Sequence, residues 1–113
     1  MQIVDKKIKL VKLKRIAIGQ FGNLVKAVVD IEKRVMAIGG ELHADEEALL
    51  LQNGSSQEEL WGINIYPDEA GKNQIEFDSM INLRPGQSNL SRGVDDPVVR
   101  KKIIEIVNKL IEK

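Results

Sequence analysis

Along residues 8–21, Leu10, Leu13, Ala17 and Phe21 recur at helical spacing while Lys12, Lys14 and Arg15 fall on the opposite side, which predicts an amphipathic helix stopped by Gly22. From Leu24 the period drops to two. Val25, Ala27, Val29 and Ile31 alternate with Lys26, Val28, Asp30 and Glu32, and Val35 to Ile38 resumes the pattern, so a β-hairpin is expected. Gly39 and Gly40 then mark a bulge or a close backbone approach. A short helix should follow, capped by Asp45, carrying Ala48 to Leu51 as apolar surface and ended by Asn53-Gly54. Leu60 to Tyr66 predicts a third strand closed by Pro67. Gln74 to Arg84, with Ile75, Phe77, Ser79, Ile81 and Leu83 in alternation, predicts a fourth strand and a second hairpin. Residues 85–95 read as a long loop. Asp96-Pro97 opens a final helix whose apolar stripe is Val99, Ile103, Ile106, Val107, Leu110 and Ile111.

Helix, hairpin, short helix, hairpin, helix is an α+β order. It predicts a four-stranded, mainly antiparallel sheet with the N-terminal, middle and C-terminal helices packed on one face. Asn64, Tyr66, Asp78 and Asn82 would then lie on the opposite face, as a pocket or subunit interface.

Composition adds bounds to this picture. A chain of 113 residues, 42% hydrophobic and 30% charged, fits one globular domain spanning residues 1–113. With no Cys, thiolate metal sites and Cys nucleophiles are excluded and a reducing, cytoplasmic setting is expected. No apolar run is long enough to span a membrane, and the first residues lack the pattern of a signal peptide. Net charge is zero but segregated: residues 1–34 carry nine basic against three acidic side chains, and residues 41–79 one against ten. Neutralisation within the fold or across a homodimer contact suits that layout better than a nucleic-acid partner, which asks for net basic charge interleaved with aromatics.

Three groups of residues could carry chemistry. Glu41, His43 and Asp45 alternate, so a strand would point all three the same way as ligands for a divalent metal, or let Asp45 orient His43 as a general base. No elbow-like motif surrounds Ser55, Ser79 or Ser88 as a nucleophile. Arg84, Ser88, Asn89 and Arg92 offer guanidinium, hydroxyl and amide donors suited to an anion, although Asp95 and Asp96 oppose one and no phosphate-loop motif is present. The third group is the sheet face itself. These readings leave a non-catalytic, homo-oligomeric binding module as the leading expectation, with a metal-assisted hydrolase and an anion-binding protein as alternatives.

The segments VKAVVDIEK, MAIGGELHADEEALLL, LWGINIYP and INLRP, with the SRG-to-DP stretch, resemble a family of small prokaryotic proteins classed as a domain of unknown function. The likeness spans nearly the whole chain. It implies a compact, intracellular, single-domain prokaryotic protein, and no activity, cofactor or catalytic residue comes with it.

Overall fold

A computed structural model describes all 113 residues. Five antiparallel strands form the main sheet in the order β1 (Gln2–Val4), β4 (Val35–Ile38), β3 (Val25–Asp30), β5 (Leu60–Ile65) and β6 (Ile75–Glu76). A separate parallel pair, β2 (Ile8–Lys9) with β7 (Ile111–Glu112), ties the two ends of the chain together. The helices are α1 (Leu10–Gly19), α2 (His43–Gln52) and α3 (Pro97–Leu110).

The β3–β4 hairpin forms as its alternation predicts. Its turn is held by Asp30, whose Oδ1 accepts from Glu32 N–H and Lys33 N–H, both at 2.9 Å. Odd-numbered residues of β3 and β5 (Val25, Ala27, Val29, Trp61, Ile63 and Ile65) join Leu13, Ala17, Ile103, Ile106 and Val107 of α1 and α3 in the main core. At the start of α3, Asp96 Oδ1 accepts from Val98 N–H at 2.8 Å and Pro97 occupies the first turn, as the sequence dictates.

Three expectations are corrected. The sheet has five strands, because residues 2–4 add an edge strand beside β4, too short to carry a periodic signal. The helices do not share one face: α2 lies on the side opposite α1 and α3, where Leu50 packs on Val28, Ala37 and Leu60. The domain therefore has three layers, and β5 is buried on both faces along its whole length.

The third correction concerns residues 74–84, where the ladder stops at Glu76 and a 3₁₀ turn occupies Met80–Asn82. Beyond Glu76 a side chain does the work of a strand. Asn82 Oδ1 accepts from Gly62 N–H at 2.8 Å and its Nδ2 donates to Gly62 C=O at 3.0 Å, the two bonds a partner peptide would have made. Ser79 fills the space over Gly62, where an added Cβ would come within 2.5 Å of Ser79 Cβ. The apparent alternation thus records side chains that clamp β5 rather than extend the sheet.

Candidate functional site

β3 and β5 bring Lys26 and Asn64 into register on the α2 side of the sheet. These are polar positions within otherwise apolar strands. α2 begins directly above them, and the segment after β6 passes alongside, joined to the returning loop by a bond from Ser79 N–H to Arg92 C=O at 2.9 Å. The result is a cleft of about 230 Å³ lined by Lys26, His43, Asn64, Asp78 and Arg92, with Leu42 and Met80 exposed at its rim.

His43 is buried and its Nε2 lies 2.8 Å from the carbonyl oxygen of Ile63. A carbonyl can only accept, so Nε2 carries the proton and Nδ1 keeps its lone pair. Burial, reinforced by Lys26, pulls the His43 pKa below 6.5 against the opposing effect of that hydrogen bond. The ring is neutral at pH 7.

Asn64 is only 8% exposed. Its Nδ2 donates to Glu76 Oε1 at 2.8 Å, which fixes the orientation of the amide, and its Oδ1 is buried without a donor. Tyr66 O–H also donates to Glu76 Oε1, at 3.1 Å. Arg92 Nε donates to Asp78 Oδ1 at 2.8 Å across a half-exposed ion pair. The Lys26 ammonium sits 5.1 Å from the centre of the Phe21 ring.

The sequence-derived groups are redistributed. Glu41, His43 and Asp45 do not converge, because the helix starts at His43 and helical geometry turns Asp45 well over a quarter-circle from it. Glu41 and Asp45 border a different depression, beside Gly39 and Gly40, and no three His, Asp or Glu side chains come together as a metal site. Asp45 is not the cap either: Leu42 precedes the helix in extended conformation, without a capping side chain. Glu46 is fully buried instead, its Oε2 accepting from Gly40 N–H at 3.0 Å. Gly40 is required there, since an added Cβ would stand 2.7 Å from Glu46 Cγ.

Of the proposed anion group, only Arg92 reaches the cleft. Arg84 stacks 4.4 Å over Trp61 and donates to the carbonyls of Ile81, Gln57 and Leu60 and to Gln87 Oε1. Asn89 is the buried hub of the loop, donating to Asn82 C=O and Gly93 C=O and accepting from Asp95 N–H. Ser88 supplies a left-handed turn at φ 61°. From the sheet-face group, Asn64 and Asp78 line the cleft, Tyr66 meets Asn64 through Glu76, and Asn82 is the clamp on β5. Sequence reasoning left out Lys26, and it set Arg92 and His43 in separate groups.

Fold and site together define a small three-layer α+β domain with a polar cleft at the start of its middle helix. The chain belongs to the family described as Protein of unknown function (DUF5674), whose model matches residues 2–110. No curated protein and no solved structure matches it.

Proposed function

We propose that this protein is a non-catalytic binding module whose recognition site is the cleft between the start of α2, β5 and the Asp78–Arg92 pair. The observation that carries the proposal is Asn64: a lining side chain with a buried carbonyl oxygen that has no donor, held in place by Glu76. An unpaired buried acceptor costs roughly 1–3 kcal/mol, and a molecule that enters the cleft and opens a path to Oδ1, which itself has almost no exposed surface, recovers that energy by donating to it. The non-catalytic reading is supported by His43, whose Nε2 proton is committed to a backbone carbonyl, and by Ser79, whose hydroxyl oxygen accepts from Ile81 N–H. No hydrogen bond links the two residues.

Amide NMR with a library of small polar compounds tests the assignment. Shifts clustered at Lys26, His43, Ala44, Asn64 and Arg92 are expected; shifts confined to other surfaces, or none, would remove it. Self-association belongs to the same reading, supported by Val11 and Ile18, 50% and 75% exposed on the outer side of α1. A strict monomer by light scattering at high concentration would exclude the dimer. The cysteine-free chain suits a reducing cytoplasm.

A further inference from the structure

We infer that the cleft is built for a small oxyanion, a carboxylate or phosphate, that carries a hydrogen-bond donor beside its charged group. This rests on the reading that the cleft is a recognition site at all. Four groups of donors there lack an acceptor.

The N–H groups of His43 and Ala44 open the ten-residue helix α2, with no side-chain cap and no backbone partner. Both residues line the cleft, at the end of the helix where the dipole favours negative charge. Lys26 meets only an aromatic ring. Arg92 uses Nε on Asp78, and both terminal nitrogens remain free for a two-pronged contact.

The negative charges near this helix end do not cancel the effect. Asp78 is the only carboxylate lining the cleft and is already paired with Arg92. Asp45 is exposed and borders the depression on the other side of Gly40. Glu46 is buried, and burial pushes its carboxyl up to about 9, so it is uncharged at pH 7.

The second half of the inference comes from Asn64, more than nine-tenths buried and lining the same space, whose free Oδ1 asks for a donor rather than another anion. The neutral His43 ring offers an acceptor at Nδ1. A hydroxyl or amino group next to a carboxylate or phosphate satisfies both sets of partners at once. A volume of about 230 Å³ limits the ligand to a small metabolite.

The experiment is an amide-detected NMR titration of the full chain with lactate, acetate, inorganic phosphate and the neutral analogue lactamide. Lactate or phosphate is expected to move the His43 and Ala44 amides. Lactate should bind about threefold to tenfold tighter than acetate, the worth of one neutral hydrogen bond. Lys26→Met should weaken lactate about tenfold, as loss of a charge-assisted contact does, with its melting temperature confirming the fold. Asn64→Ala should abolish the preference for lactate over acetate.

Lactamide matching lactate, or Lys26→Met binding lactate unchanged, overturns the oxyanion assignment and leaves the cleft standing as a site for neutral ligands. Equal binding of acetate and lactate overturns the donor requirement. If none of the four probes moves the cleft amides, the oxyanion inference fails; if the polar library also leaves them unmoved, the recognition reading fails with it.

Discussion

Glu46→Gln should stabilise the protein, and by an amount that grows with pH. The carboxyl lies fully buried under Gly40, and burial raises its pKa from 4.5 to about 9, against the smaller opposing effect of the Gly40 N–H bond. Because the folded value lies above the unfolded one, the native protein keeps a proton that the unfolded chain releases. The contribution of Glu46 is therefore complete below pH 4.5 and drains away as pH rises toward 9. At about 1.4 kcal/mol per unit, the loss reaches about 3 kcal/mol at pH 7 and about 6 kcal/mol at pH 9. Glutamine keeps an acceptor for Gly40 N–H and has no proton to lose, although its NH₂ replaces an oxygen that already lacks a partner. That orphaned group trims the expected gain at pH 7 to about 2 kcal/mol, or about 6–10 °C in melting temperature for a domain of this size. Urea unfolding of both proteins at pH 5, 7 and 9 is the assay. The curves should nearly coincide at pH 5 and separate steadily above it, with any titration of His43 common to both. A wild-type midpoint unchanged from pH 5 to 9, or a variant no more stable than wild type at pH 7, would refute the burial argument.

Other perturbations probe the remaining pieces. The His43 ring should titrate with a midpoint below 6.5 by NMR; since its folded pKa is depressed, its contribution to stability is complete above pH 6.5 and is lost as pH falls, and a midpoint at or above 6.5 contradicts this. Gly62→Ala should cost about 2 kcal/mol or more in urea unfolding by overpacking against Ser79. Ser79→Gly in the same chain should recover much of that loss, and additive costs would show that the two side chains do not compete for space. Asn82→Ala should cost about 2–4 kcal/mol, because Gly62 N–H and C=O both lose their partner in a buried setting. Asp96→Ala should cost about 1 kcal/mol through the loss of the α3 cap.

The elements legible in the sequence were those whose apolar residues keep the period of their own backbone, whether one face is buried or two. α3 and the β3–β4 hairpin belong to this group, and so does β5 as an element. What the pattern concealed was the second layer. α2 turns His43, Glu46 and Leu50 toward the sheet, and two polar residues on that stripe hide which face of the helix is buried. The helix therefore reads as capped at Asp45 with Ala48 to Leu51 as its apolar surface, and His43 reads as one of three alternating strand residues with Glu41 and Asp45. Residues 74–84 failed for a different reason: packing around β5 imposes a similar spacing on Phe77, Ser79 and Ile81 without a ladder. The cleft was only half visible because Lys26, His43, Asn64 and Arg92 come from four separate elements. Their meeting depends on strand register and on where a loop returns.

The clamp on β5 bears on how copies of this chain meet when concentrated or partly unfolded. The most β-prone stretch of the protein, Leu60 to Ile65, would be a template for fibril growth if its outer side were bare. Arg84 and Asn82 occupy the main-chain groups of Leu60 and Gly62 with side-chain atoms, so an incoming strand finds nothing to pair with there. The sheet is left with edges of only three residues in β1 and two in β6, poor footholds for another molecule. Asn82 thus guards β5 against pairing between molecules as well as holding the fold, and its replacement should turn a well-behaved protein into one that polymerises through its own centre.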